Sequence, residues 1–185
     1  TLPMGETVVH VRDEVVNQGY ERAGLMLLYH CNPGYPVVAD GSVLITPPAE
    51  ITPRDENAAQ GLDQRAEFPA PRDGFVEHVF RHELRPTDAP TVSASIVNRR
   101  FEPTGGIGLT VSWDPRELPR MWQWRMLGPG MYVTGLEPAN CTVNGRASDR
   151  EDGTLEYLEP GERRSFGVSV RVSLGAAAQA LADQA

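Results

Sequence analysis

Apolar and polar residues alternate with a period of two along most of this chain, and the 3.6-residue period of an amphipathic helix is scarce. Thr7 to Val16 alternates weakly, with Val9 and Val11 set against Val8, His10 and Arg12, before Asn17-Gln18-Gly19 turns the chain. Leu25 to His30 is apolar throughout, which predicts a central strand buried on both faces. Residues 46 to 73 are rich in proline and charge, which predicts a long surface excursion and no interior strand. From Gly74 to Leu84 the pattern alternates cleanly, with Val76, His78, Phe80, His82 and Leu84 on one face. Thr91 to Asn98 and Gly106 to Trp113 follow, the second placing Ile107, Leu109, Val111 and Trp113 together. Met121 to Trp124 and Met131 to Glu137 are the next strand-like runs, the latter expected to stop at Pro138. Arg164 to Leu174 alternates best, with Phe166, Val168, Val170, Val172 and Leu174 predicted to face inward.

Seven or eight strands punctuated by turn signals such as Asn144-Gly145 and Glu159-Pro160-Gly161 predict an all-β sandwich or barrel. The alanine-rich stretch 176–185 is set apart from the domain, 1–175, as a tail that forms a short helix or frays.

Composition narrows the function classes. The chain has 185 residues and a net charge of -8, a sign that repels phosphate backbones and anionic lipid and so argues against nucleic-acid and membrane partners. Its apolar runs are too short to cross a bilayer, and no charged segment followed by an apolar one opens the chain, so the expected location is the cytoplasm. Cys31 and Cys141 are too few for a disulfide framework and have no Cys-x-x-Cys spacing. Both lie beside the segments discussed next and could approach one another, but free thiols are expected in a reducing compartment. The Asn140-Cys141-Thr142 sequon is expected to be incidental. No phosphate loop, dinucleotide fingerprint, nucleophile elbow or zinc-protease motif occurs, so no cofactor and no metal is expected.

The chemistry-bearing candidates sit at strand ends. His30 closes the apolar run and precedes Cys31-Asn32-Pro33-Gly34, where an imidazole can face a cleft as acid or base, or simply cap the strand. Glu137 shares a face with Met131, Val133 and Gly135, so its carboxylate is expected to be partly desolvated and basic, or else to turn into water. His78 lies among apolar residues, a rim or core position with a substrate-side role as the alternative. Trp122, Trp124 and Tyr35 can stack on a sugar face or fill the core, with Trp124 favoured for stacking because it leads into the turn before the Glu137 strand.

With these residues in view, the chain resembles the aldose 1-epimerase (galactose mutarotase-like) superfamily, in its bacterial branch of unassigned substrate. The resemblance rests on Leu27 to Pro36 (LLYHCNPGYP), Met121 to Gly128 (MWQWRMLG), Tyr132 to Asn140 (YVTGLEPAN) and the Leu158 to Glu162 hairpin that precedes Phe166 to Val172. It implies an antiparallel β-supersandwich, incomplete at its N-terminal side. The family's N-terminal half supplies another histidine and an arginine ahead of the strand equivalent to Leu25–His30, and only 24 residues precede that strand here. A C-terminal portion of a longer protein is therefore expected, with a missing N-terminal segment or self-association through an open sheet edge.

The resemblance further implies a small-molecule sugar as partner. His30 would protonate the ring oxygen and Glu137 would take the proton of the anomeric hydroxyl; Trp124, His78 and Tyr35 remain the substrate-side candidates offered by the strand pattern. A non-catalytic carbohydrate-binding module of the same fold is the alternative, and a structural β domain of a larger sugar-processing enzyme a third.

Overall fold

The computed structural model describes residues 1–183 as three antiparallel sheets and three short helices. The largest sheet has six strands in the order β1 (Val8–Val16), β12 (Arg163–Leu174), β8 (Ile107–Trp113), β7 (Val92–Asn98), β3 (Ser42–Ile45) and β5 (Glu67–Phe68). A second sheet orders β10 (Met131–Ala139), β9 (Arg120–Gly128), β6 (His78–Leu84) and β4 (Ala49–Pro53). A short ribbon pairs β11 (Glu156–Leu158) with β2 (Ala23–Leu25).

The two large sheets enclose one apolar core. Leu44, Phe68, Ala94, Ile96, Val111, Trp113, Phe166 and Val168 come from the six-stranded sheet, and Met121, Leu127 and Leu136 from the four-stranded one. Trp113 satisfies its buried N–H by donating to the Leu118 carbonyl at 3.0 Å, so the indole sits in the core without an orphaned donor. On the outer side of the six-stranded sheet, helix α3 (Ala176–Ala182) lays Ala178 and Ala182 on Val97, so this part of the alanine-rich stretch is a packed helix; Gln184 and Ala185 lie outside the described residues.

Several sequence expectations are corrected here. Among the described residues twelve strands replace seven or eight, because two- to four-residue strands carry too little alternation to be recognised. The proline-rich stretch is not a plain excursion: it contains β4, helix α1 (Glu56–Ala59) and β5. Proline is compatible with β4 because that strand forms the sheet edge and Pro53 ends it. The strand expected from Gly74 begins at His78, leaving Val76 exposed, and Leu174 at the end of β12 is exposed as well.

The most consequential correction concerns Leu25–His30. Only Leu25 belongs to a regular strand, and beyond it the chain follows the outer edge of β10 through isolated bridges, Leu28 with Ala139 and Cys31 with Leu136. Strand β10 in turn does not stop at Pro138 but runs through it to Ala139. The two departures share a cause. Pro138 accepts from the Tyr29 N–H at 3.0 Å but has no N–H to return, so a regular ladder cannot form on that side.

Asn140 compensates. Its side chain accepts from the Leu27 N–H at 2.7 Å and donates to the Leu25 carbonyl at 3.3 Å, and its own N–H donates to the Leu27 carbonyl at 3.1 Å. With its amide thus occupied and 1% exposed, Asn140 is not available as a glycan acceptor.

Asn140→Ala leaves the Leu27 N–H without its acceptor, so a loss of about 1–3 kcal/mol in unfolding free energy is expected. Urea denaturation of the variant beside the parent checks this, and an unchanged midpoint would show that the clamp contributes nothing.

Candidate functional site

The bridges between the 28–31 segment and β10 share one register, which sets His30 directly across from Glu137 on the face turned away from the core. Their side chains meet, with His30 Nε2 3.2 Å from Glu137 Oε1. Exposure is lopsided: half of the His30 side chain is open to solvent, whereas only 5% of Glu137 is. The imidazole is oriented from behind, its Nδ1 hydrogen-bonded to Asn32 Oδ1. An amide oxygen only accepts, so Nδ1 carries the hydrogen and Nε2 is the atom presented to Glu137.

Glu137 occupies this place because residue 135 is glycine. A Cβ on Gly135 would stand 2.2 Å from Glu137 Oε1, so the carboxylate folds back along the strand into space that any other residue would fill. Burial pushes the Glu137 carboxyl up to about 7, an effect that the His30 charge opposes. Oε1 has ion-pair proximity to His30 but no aligned hydrogen-bond donor among the described residues. A buried carboxylate oxygen in that state is a ready acceptor for a hydroxyl. The neighbouring Cys31 thiol is pushed up by burial and by the Glu137 charge, so it rests as a thiol. Both Cys31 and Cys141 are free.

The pair lies in a hollow of roughly 420 Å³. Val79 and Leu28 form its apolar side, and Trp124 stands edge-on to the His30 ring, centroids 6.2 Å apart. The Trp124 N–H donates to Glu77 Oε2 at 2.8 Å, and Arg54 donates to Glu77 Oε1 at 2.8 Å. Those two hydrogen bonds hold the Glu77 carboxyl below the usual carboxylate range, Arg54 contributing most. Arg54 also pairs with Asp55 at 3.0 Å, so one guanidinium faces two carboxylates. Strand alternation explains the grouping: Val79 pairs with Trp124, Trp124 with Gly135 and Trp122 with Glu137, all on one face.

Among the sequence candidates, His30, Glu137 and Trp124 therefore come together, and His78 and Tyr35 do not join them. His78 pairs with Arg125 on the opposite face of the sheet, against Phe75 and Phe80, because it is one residue out of phase with Val79. Tyr35 is 81% exposed and lines no part of the hollow. Trp122 is buried in a small outer cluster with Val79, Ala139 and Cys141. Sequence reasoning missed Arg54 and Glu77. Glu77 was accessible in principle, since it shares the parity of Val79, but Arg54 sat in the stretch read as an excursion. No group of three or more His, Cys, Asp or Glu among the described residues could hold a metal ion, and no described helix is long and apolar enough to cross a membrane.

With this geometry established, comparison with known proteins adds the following. A family model described as "Domain of unknown function (DUF4432)" matches residues 1–172. No curated protein matches the chain in sequence. Among solved structures, a "putative aldose 1-epimerase" from Klebsiella pneumoniae superposes with a TM-score of 0.87 at 24% identity, over 97% of this chain and 46% of that one. The part of the Klebsiella protein that matches is its C-terminal portion. A galactose mutarotase related enzyme from Lactobacillus acidophilus gives a TM-score of 0.60 at 15% identity, over 93% of this chain and 60% of that one. The Slr1438 protein from Synechocystis gives 0.58 at 18% identity, over 90% and 51%. The fold is thus the antiparallel galactose mutarotase-like β-sandwich, and this chain spans about half the length of the solved structures it matches.

Two outcomes follow from the site's geometry. In Gly135→Ala the new methyl displaces the Glu137 carboxylate toward solvent, so its pKa, followed by carboxyl ¹³C NMR, is expected to fall from about 7 toward ordinary values. A Glu137 titration unchanged in that variant would refute the steric argument. The second outcome concerns stability. A carboxyl whose pKa is raised by folding holds its proton more tightly when folded, so its stabilising effect is complete below the ordinary carboxylate pKa and lost as pH rises through about 7. Melting temperatures from about pH 5 to pH 8 should therefore decline more steeply for the parent than for Glu137→Gln; parallel profiles would contradict the shift.

Proposed function

The chain belongs to the DUF4432 family, and from that premise we propose that its His30–Glu137 hollow binds a sugar ring and interconverts its anomers by moving protons on and off it. The observation that carries this reading is the 3.2 Å approach of an oriented imidazole to a buried, raised-pKa carboxyl on one wall of a sugar-sized hollow.

The geometry suits hemiacetal chemistry for an elementary reason. The anomeric hydroxyl and the ring oxygen are both bonded to the same carbon, so an acid and a base serving them must stand side by side. Glu137, as carboxylate, accepts the proton of the anomeric hydroxyl through Oε1, while His30, as the imidazolium with Nδ1–H still on Asn32, delivers its Nε2 proton to the ring oxygen. The C1–O5 bond breaks to give the open-chain aldehyde. Rotation about C1–C2 and re-closure, with the proton transfers reversed, yields the other anomer. A carboxyl titrating at about 7 is matched to accepting and returning a proton near neutrality. Asn32 fixes the imidazole so that Nε2 is the exchanging atom. The Trp124 N–H is committed to Glu77, which leaves the indole to present its apolar surface to the sugar. Arg54 and Glu77, locked together, offer a donor and an acceptor to neighbouring sugar hydroxyls.

Polarimetry of freshly dissolved α-anomers of several neutral aldoses tests the proposal. His30→Ala and Glu137→Gln are each expected to slow enzyme-dependent equilibration about 10²–10⁴-fold. Equilibration at the parent's rate in either variant would end the catalytic reading. Loss of rate with retained sugar binding in Glu137→Gln is the expected pattern for a residue that moves protons.

A further inference from the structure

The four-stranded sheet has a second cavity, of about 330 Å³, on the side opposite the His30–Glu137 hollow. Gln64, Arg72, Phe75, His78, Arg125 and Leu127 line it, and the loop between α1 and β6 closes it. The proposed sugar chemistry uses none of these residues, and strand alternation sends them away from it: Trp124 faces the hollow, Arg125 this cavity.

Its charge is unusual. Arg125 is only 2% exposed, yet forms no ion pair among the described residues. Its terminal nitrogens donate to the Gln64 carbonyl at 2.9 Å and the Glu67 carbonyl at 2.5 Å, and its Nε has no acceptor. Burial draws its pKa down to about 10. Its hydrogen bonds go only to neutral carbonyls; the Phe68 ring 5.4 Å away and the more distant Glu67 charge attract it, but no carboxylate forms an ion pair with it among the described residues, which is the compensation buried charges normally find. A second guanidinium, Arg72, stands at the rim over the Phe75 ring at 5.4 Å and has no ion pair among the described residues either.

His78 completes the set. It is 8% exposed, its buried Nδ1 has no hydrogen-bond partner among the described residues, and that atom is packed so closely on Gly61 that a Cβ there would stand 2.3 Å away. Burial, then Arg125, then Arg72 lower its pKa, so the ring is held neutral and keeps one N–H to donate. Three groups able to bind negative charge therefore border one cavity, and Phe75 and Leu127 supply its apolar wall.

We propose that this cavity is a binding site for a small organic anion, its oxyanion end held by Arg125, Arg72 and His78 and its carbon body resting on Phe75 and Leu127. Such a ligand supplies the missing counter-charge to Arg125 and an acceptor to the imidazole. The apolar wall favours a carboxylate bearing a hydrocarbon body over inorganic phosphate.

The chain has four histidines, so ¹H–¹³C spectra at the imidazole Cε1 positions can report on His78 separately from His30. The protein is titrated with sodium butyrate, with sodium phosphate, and with sodium chloride at matched ionic strength. Butyrate is expected to shift the His78 resonance saturably while chloride does not. Arg125 also ties the 64–67 loop to β9, so the test variant is made at exposed Arg72, where Arg72→Gln should weaken butyrate binding about tenfold or more by removing one charge-assisted contact. The proposal is overturned if butyrate leaves His78 unmoved relative to chloride, if it moves His30 instead, or if Arg72→Gln binds equally well. Phosphate shifting His78 where butyrate does not would also overturn the organic-anion assignment.

Discussion

One edge of one strand carries the arrangement described here. The segment after β2 is held along the outer side of β10 by a few backbone hydrogen bonds, and their register makes residues more than a hundred positions apart face each other. A shift by one residue would send the imidazole and the carboxyl to opposite faces. The proline in β10 weakens the ladder at the place where the pair must sit, and the Asn140 side chain restores the lost fixation one pair further on. The edge is therefore irregular without being loose, and the irregularity leaves His30 half open while Glu137 is buried.

The same alternation sorts the polar residues of the four-stranded sheet into different environments. Toward the core, His82 is completely enclosed, hydrogen-bonded to Gln123, which donates to the Arg65 carbonyl at 2.7 Å; burial drives its pKa down to about 4, so it is a neutral structural ring. Also on that side, His78 lies beside two arginines. On the outer face, His30 meets a carboxylate. Three histidines of one protein thus differ by surroundings, not by local sequence, which is why histidine content alone says little about function.

Much of the architecture was legible along the chain. Strong alternation in Gly106–Trp113 and Arg164–Leu174 marks β8 and β12, because a half-buried strand imposes period two on its own residues. Placing Glu137 on the face of Gly135 required only parity. The short strands β2 and β5 were invisible because three residues or fewer cannot display a period. Treating His78 as facing the substrate overlooked that Glu77 and Val79, one step away, point into the hollow. Arg54 was lost because the proline-rich stretch was read as a surface excursion; no interior strand lies there, but the edge strand β4, which tolerates proline, does.

The sequence by itself determined which residues share a strand face, where turns fall, and the antiparallel β-sandwich fold that the superposed structures share. These properties depend on local periodicity and on proline and glycine stereochemistry, which any short window contains. Only the tertiary structure decided that Arg54, Glu77 and Trp124 adjoin His30 and Glu137, that Gly135 makes room for the carboxylate, and that Arg125 is buried without an ion pair among the described residues. Those facts depend on which strands become neighbours, and that choice is made by burial summed over the whole core, not by any segment alone.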